Sequence, residues 1–255
     1  MNQKKSRLAL QRKKHQKQKN KKMKPTQTDL FNKEALQKIK QQIIKESPNE
    51  GKTEVIAVTK TRTINAVKEA VKNKIKIIGE NQVQEAEKKF LKDEATRKKI
   101  ELHLIGHLQS NKTNKAVSIF DVIQTVDSQK ILKKIDRVAK IKNKKQRIYF
   151  QVNIGQDEKK YGFNTSSLLR ECGNIKNYKN IIVEGLMAIL PQGKTKKENK
   201  KLFLDTIFLQ KQIQKDLIKT CRKTSLGMSS DYLEAIQAGA THIRIGSALF
   251  GKRKK

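Results

Sequence analysis

Short apolar runs recur along most of the chain and are separated by charged segments. Eight of them are candidates for buried strands: EVIAVT, IKIIGEN, ELHLIGHL, FDVIQTVD, RIYFQVNI, IIVEGLMAIL, TSLGM and HIRIGSALF. Parallel strands that are covered on both faces have nearly continuous apolar sequences of this kind. The pattern therefore predicts eight buried, parallel strands.

Amphipathic segments with apolar residues at helical spacing lie between these runs. Ser128 is placed to cap the N-terminus of one segment, and Gly239 the C-terminus of another. The segments are INAVKEAVKNK, SQKILKKIDRVAKIKNK, NKKLFLDTIFLQKQIQKDLI and SDYLEAIQAGA, and EALQKIKQQIIKE precedes the first strand. We expect a helix after every strand except the last, and the N-terminal helix in the place of the missing one.

This strand–helix alternation predicts an α/β protein, a single-domain (β/α)8 TIM barrel. A doubly wound open sheet is the alternative, but no G-x-G-x-x-G follows any strand, which weakens a dinucleotide-binding version of it. Residues 1–28 contain eleven lysines and arginines and no acidic residue. We expect a disordered basic tail over residues 1–28 and the barrel over residues 29–255.

The chain carries a formal net charge of +35, which is common in proteins that bind nucleic acids. Outside the tail, however, the excess is scattered over pairs such as Lys88-Lys89 and Lys133-Lys134, which we interpret as solvated helix faces. No single basic stripe stands out. A lysine-rich composition common to all proteins of the source organism therefore explains the charge better than a nucleic-acid-binding surface does. We therefore expect no nucleic-acid partner for the barrel; a nucleic-acid or ribosomal partner would involve the tail alone.

Cysteine and histidine positions give little sign of metal or redox chemistry. Cys172 and Cys221 lack metal or redox spacing, which favours a reducing compartment, the cytoplasm. His103 and His107 are four residues apart on a strand that runs into a loop, so no metal site is expected. The chain also lacks an apolar run of about 18 residues and an apolar secretory segment, so we expect no membrane span.

In barrels of this kind the chemistry lies at the C-terminal ends of the strands. Strands seven and eight end in SLGMSSD and RIGSALFG, and the loops after these strands commonly bind phosphate. Ser229 precedes a helix that Ser230 or Asp231 could cap, Gly246 permits close approach of the backbone, and Ser247 offers a hydroxyl. Taken singly, Ser229 is better explained as a helix cap and Gly246 as a tight turn. Because they lie on neighbouring strands, the residues together make a phosphate site as good an explanation.

The first strand ends at Lys60, although buried positions rarely tolerate an unpaired lysine. A lysine amine in a partly desolvated barrel mouth, near another cation such as Arg244, has a lowered pKa and attacks carbonyl groups. A phosphate site beside such a lysine suggests pyridoxal 5′-phosphate as cofactor. The alternative is a lysine that extends outward into solvent, and for Lys60 taken alone this is the better interpretation.

Six ordered motifs over residues 34–251 resemble the pyridoxal phosphate homeostasis protein family, single-domain relatives of the alanine racemase N-terminal barrel. The motifs are AVTKT, GENQVQEA, LHLIGHLQSNK, VNIGQDEKKYGF, EGLMAI and SLGMSSDYLEAIQAGATHIRIGSALFG. Gln82 replaces a tyrosine common after GEN, and Leu102 stands where an aromatic residue often precedes the histidine. Neither departure touches the predicted phosphate site.

The resemblance implies a site for pyridoxal 5′-phosphate and a role for each residue in it. Lys60 would form a Schiff base with the cofactor, and Arg244 would face the pyridine nitrogen. The phosphate would be held by Ser229, Gly246 and Ser247, and Asn81 of the GEN motif would line the cofactor. The implied function is to buffer or carry pyridoxal 5′-phosphate within the cell.

A carrier fits the residues better than an efficient enzyme. An arginine opposite the pyridine nitrogen disfavours its protonation and makes the ring a weaker electron sink. We also expect no second domain to supply the opposing base that racemisation needs. A slow amino-acid racemase or another pyridoxal-phosphate enzyme is the alternative. Enzymes that receive the cofactor are the expected protein partners, and a monomer is the expected state.

Overall fold

The computed structural model describes residues 31–158 and 160–251. The basic tail predicted for residues 1–28 lies outside the described residues, and its proposed boundary with the barrel stays a prediction.

Eight parallel strands form a closed barrel in which each strand pairs with its neighbours in chain order and β8 pairs with β1. The strands are β1 (Glu54–Val58), β2 (Ile77–Glu80), β3 (Glu101–Leu104), β4 (Val122–Val126), β5 (Gln146–Val152), β6 (Ile181–Ala188), β7 (Lys223–Ser225) and β8 (His242–Ile245). The predicted (β/α)8 barrel is thus confirmed, and the open-sheet alternative is wrong.

Helices surround this barrel and connect successive strands. They are α1 (Lys33–Glu46), α2 (Ile64–Lys72), α3 (Val83–Phe90), α4 (Glu94–Arg97), α5 (Thr113–Ile119), α6 (Gln129–Ile141), α7 (Thr165–Gly173), α8 (Lys196–Asp216), α9 (Tyr232–Ala238) and α10 (Ser247–Phe250). The core lies between the barrel and these helices, where Ile39, Leu102 and Phe150 are fully buried.

Two predicted helix caps are present. The Ser128 hydroxyl accepts a hydrogen bond from the N–H of Ile131 at the start of α6. Gly239 follows α9 with a φ of 97°, the left-handed conformation that glycine adopts most easily. Both caps depend on residues close in the chain, which is why the sequence predicts them.

The last strand is shorter than predicted. It ends at Ile245, and the next residues form α10 because the N–H groups of Leu249 and Phe250 donate to the carbonyl of Gly246, each at 3.0 Å. The prediction of a strand running to Phe250, with no helix after it, was wrong. The N-terminal helix nevertheless packs against this end of the chain, where the Phe31 and Phe250 ring centroids are 5.5 Å apart.

Charged and polar side chains fill the N-terminal end of the barrel interior. His103 on β3 is fully buried, with ring nitrogens 2.6 Å from Glu101 Oε1 and 2.7 Å from Gln124 Nε2. Arg147 on β5 pairs with the Glu101 carboxylate at 3.0 Å and with Glu184 at 3.5 Å. The contacts of His103 with Gln124 and of Arg147 with Glu184 join neighbouring strands, and the pair of Arg147 with Glu101 joins β5 to β3.

Within the described part of the chain, no helix combines the length and the apolar character needed to cross a bilayer. The thiols of Cys172 and Cys221 are free and buried, and burial raises the pKa of each to about 12.

The Glu101 carboxylate should make stability depend on pH. Its hydrogen bond to His103 lowers its pKa from the ordinary value of about 4.5 to about 2. Because the folded pKa is below the unfolded one, the stabilisation is complete above the unfolded pKa and is lost as pH falls towards 2. Between pH 7 and about 3.5, after allowing for partial exposure, wild type should lose about 1 kcal/mol more unfolding free energy than Glu101→Gln. Urea titrations at both pH values measure this; equal losses in the two proteins would contradict it.

Candidate functional site

A cavity of about 350 Å³ opens at the C-terminal ends of the strands, the end at which barrels of this kind carry their chemistry. Its apolar wall is formed by Val58, Ile105, Ile189 and Met228. This volume lies within the range of small-molecule sites, which are usually apolar with a few directed polar groups.

All six predicted site residues lie on the wall of this one cavity, although they come from four different strand ends. They are Lys60, Asn81, Ser229, Arg244, Gly246 and Ser247. The structure thus brings the predicted set together; the contact that each would make with a cofactor stays a prediction.

Lys60 lies in the turn after β1 and is half-buried. The next residue, Thr61, has a φ of 62°, a left-handed conformation that is unusual for a β-branched residue. Its N–H donates to Glu85 Oε1 at 2.5 Å. The turn that presents the lysine is therefore strained and is held by a side chain from α3.

A buried ion pair lies behind the same turn. Lys89 Nζ is 2.6 Å from Glu80 Oε1, and these two side chains are 5% and 0% exposed. The same ammonium group donates to the carbonyl of Thr59 at 2.8 Å. The interpretation of Lys88-Lys89 as a solvated pair was thus wrong for Lys89, because the partner carboxylate belongs to β2 and is not apparent from the local sequence.

Arg244 is buried and fixed on β8. Its guanidinium donates to the Ala188 carbonyl at 2.9 Å and to the Ser225 hydroxyl at 2.9 Å. Burial lowers the pKa of this guanidinium to about 10, which leaves it charged at neutral pH. It therefore presents a fixed positive charge and hydrogen-bond donors at the cavity wall.

The loops after β7 and β8 meet where the phosphate was predicted. The Gly246 N–H lies 3.4 Å from the Ser229 hydroxyl oxygen. Neither Ser230 nor Asp231 caps α9 as expected: Asp231 occupies the cap position, but its carboxylate accepts from the N–H of Met228 at 2.6 Å. The carboxylate therefore closes the turn that carries the serines instead of capping the helix.

The backbone of Asn81 is in close contact with Gly106 in the loop after β3. A Cβ built on Gly106 would lie 2.1 Å from the Asn81 carbonyl oxygen. Real side chains never approach a backbone oxygen so closely, so only glycine lets this loop pass against the end of β2.

Arg62 is a site residue that the sequence analysis missed. It lines the cavity, is 8% exposed, and donates from Nη2 to the Gly251 carbonyl at 2.6 Å. It follows Lys60 by two positions, a spacing that could have suggested a second cation at the rim.

His107 forms a pair that the sequence analysis did not expect. Its Nδ1 lies 3.0 Å from the Asp127 carboxylate, and the Tyr161 ring stacks on the imidazole with centroids 3.8 Å apart. None of these three residues is among those that line the cavity. Among the described residues, no group of three or more metal-ligating side chains is placed to hold an ion.

The cavity suits a flat, anionic ligand that carries a carbonyl group. The lysine amine can attack the carbonyl, hydroxyl and backbone N–H groups can hold an anion, and apolar side chains can cover a ring. Pyridoxal 5′-phosphate, which the sequence predicts, has all three features.

Comparison with known proteins places the chain in a class and then in a family. The sequence model of the family described as "Alanine racemase, N-terminal domain" matches residues 32–254. Together with the closed barrel and its cavity, this match defines a barrel of the alanine racemase N-terminal class.

Curated relatives narrow this class. The pyridoxal phosphate homeostasis protein of Synechocystis is 37% identical over 78% of this chain and 91% of its own length. The protein of the same name from Haemophilus influenzae is 33% identical over 85% of this chain and 92% of its own length. The chain belongs to the pyridoxal phosphate homeostasis protein family.

A solved structure agrees with this assignment. PipY of Synechococcus elongatus, described with PLP bound, superposes with a TM-score of 0.76 at 33% identity. The superposition covers 86% of this chain and 99% of PipY.

Gly106→Ala should destabilise the fold at the site. The added methyl would collide with the Asn81 backbone, and overpacking of this kind costs about 1–3 kcal/mol of unfolding free energy. Gly173→Ala is the control, because a Cβ there meets nothing within 4 Å. It should be neutral or stabilising by up to about 1 kcal/mol, since the position is helical. Urea denaturation measures both, and a Gly106→Ala protein as stable as wild type would disprove the close contact.

Proposed function

We propose that this chain binds pyridoxal 5′-phosphate reversibly, as a Schiff base on Lys60, and buffers or carries the cofactor within the cell. The observation that carries the proposal is the convergence of Lys60, Arg244 and the loops after β7 and β8 on one cavity. The relation to PipY, described with PLP bound, supports the choice of ligand.

The cavity residues divide into three groups by what they would bind. Ser229, Ser247 and the Gly246 N–H would hold the phosphate, with Arg62 as a nearby cation. Asn81 would line the ring together with the apolar wall. Lys60 would take the aldehyde, because a primary amine at the cavity wall is the group that condenses with it.

Arg244 favours a carrier over an enzyme. Its guanidinium is held by Ala188 and Ser225 and stays charged at neutral pH, so it can only donate hydrogen bonds. Facing the pyridine nitrogen, it would keep that nitrogen unprotonated. With its nitrogen unprotonated, the pyridine ring of the bound cofactor would withdraw electrons only weakly from the reacting carbon.

The other residues of the cavity wall also favour a carrier over an enzyme. In the part of the chain that the structure describes, they include no carboxylate, imidazole, phenol or thiol. The oriented His107–Asp127 pair is outside this set. Racemisation needs proton transfer on both faces of a carbon, and Lys60 could serve one face only.

Lys60→Ala should abolish the covalent complex. Wild type mixed with pyridoxal 5′-phosphate should show the visible absorbance band of a Schiff base, which borohydride should convert into a stable adduct on Lys60. Because many other lysines of the chain could also react with the aldehyde, Lys115→Ala, at an exposed position on α5, controls for unspecific reaction and should behave as wild type. A band of wild-type strength in Lys60→Ala would contradict the proposal.

The phosphate end can be tested separately. Ser229→Ala combined with Ser247→Ala should weaken the affinity for pyridoxal 5′-phosphate by about tenfold or more, since two hydroxyl hydrogen bonds to a charged group are lost. Titration by absorbance measures this. An unchanged affinity would place the phosphate elsewhere.

Exchange of the α-proton of alanine in heavy water separates a carrier from the alternative, a slow racemase or another pyridoxal-phosphate enzyme. With the loaded protein, this proton should exchange at a rate within a small factor of the rate that free cofactor gives. Exchange at ordinary enzymatic rates, above about 1 per second, would favour the enzyme.

A further inference from the structure

The two peptide groups on either side of Lys60 are each held by a side chain of α3. The carbonyl of Thr59 accepts from Lys89 Nζ at 2.8 Å, and the N–H of Thr61 donates to Glu85 Oε1 at 2.5 Å. Lys89 and Glu85 are one helical turn apart and lie 3.2 Å from each other. One ion-paired couple thus holds the backbone immediately before and immediately after the lysine.

Glu80 at the end of β2 completes this clamp. Its Oε1 accepts from Lys89 Nζ at 2.6 Å and from the Thr59 hydroxyl at 2.6 Å. Hydrogen bonds between charged groups are stronger than neutral ones, and these groups are shielded from water. The clamp therefore joins β1, β2 and α3 around the turn.

The turn needs such support. Thr61 is β-branched and has a φ of 62°, a conformation that persists only where surrounding contacts impose it. The direction in which Lys60 leaves the backbone depends on the two peptide planes beside it. A small rotation of either plane moves the amine at the end of the long side chain by much more.

We propose that Lys89 and Glu85 are positioning residues that hold Lys60 in the geometry needed to condense with the cofactor aldehyde. The inference rests on the function proposed above. Neither residue lines the cavity, so each would act through the backbone of the lysine turn and not by touching the ligand.

Two sets of variants test this. Glu85→Ala removes the acceptor for the Thr61 N–H, whereas Glu85→Gln keeps an oxygen in its place and should restore most of the function. Lys89→Met alone would leave Glu80 buried without its partner, so it is combined with Glu80→Gln to balance the charge.

Glu87→Ala is the matched control. Glu87 lies on the same helix and pairs with Lys115 at 2.8 Å. The Glu87→Ala substitution removes a carboxylate and an ion pair from α3 but leaves the contacts of the lysine turn intact, so this variant should behave as wild type.

The readout compares two ligands. Pyridoxal 5′-phosphate reports condensation with Lys60 through its absorbance band, and pyridoxine 5′-phosphate, which lacks the aldehyde, reports binding to the rest of the site by calorimetry. In Glu85→Ala and in the charge-balanced double variant, the rate of band formation should fall by about tenfold or more, because small misplacements of reacting groups have effects of this size. The affinity for pyridoxine 5′-phosphate should stay within about twofold of wild type, because its contacts remain.

Three results would overturn the inference: band formation at the wild-type rate in Glu85→Ala, an equal loss of affinity for both ligands, or the same loss of rate in Glu87→Ala. If the double variant does not fold, Glu85→Ala and Glu85→Gln decide the matter. Failure of wild type itself to form the band would instead refute the proposed function, and with it this inference.

Discussion

Pairing between β1 and β8 is the constraint on which the rest of the structure depends. It joins the two ends of the barrel sequence, with Glu54 opposite His242 and Ala57 opposite Ile245. A sheet closed in this way has no free edge, and its parallel strands all finish at one rim. The cavity follows from this closure, because the loop at Gly246 comes to lie against the end of the strand that leads to Lys60.

The two ends of the barrel interior serve different purposes. At the N-terminal end, Glu101 accepts a hydrogen bond from His103 and pairs with Arg147, so these polar groups satisfy one another. At the C-terminal end, polar groups instead line a cavity. This division is usual for barrels, in which one face supports stability and the other carries chemistry.

Two buried cations lie near the lysine turn, and each is costly unless it is paired or hydrogen-bonded. Arg244 donates to carbonyl and hydroxyl oxygens of two neighbouring strands, and Lys89 is neutralised by Glu80. These fixed partners offset only part of the desolvation, because burial still lowers the pKa of Arg244 and raises that of Glu80. The result is a fixed positive charge at the cavity wall on β8 and a clamped backbone at the end of the adjacent strand, β1.

The sequence by itself determined the features that depend on neighbours in the chain. Apolar periodicity predicted eight strands and the helices after all of them but the last. Local chemistry predicted the caps at Ser128 and Gly239, and the ends of the strands pointed to Lys60 and Arg244 as candidates. Because all strand ends of a barrel meet at one rim, the fold class was enough to predict that these residues share a site.

Tertiary structure alone decided which side chains become partners. Lys89 belongs to a lysine pair like many others in the chain, and its burial follows from a carboxylate on another element, Glu80. Asp231 closes its own turn instead of capping a helix. Arg62, just after β1, donates to the carbonyl of Gly251, which follows the last helix. Such contacts depend on which elements the closed barrel brings side by side, and residues distant in the chain leave no local pattern that reveals them.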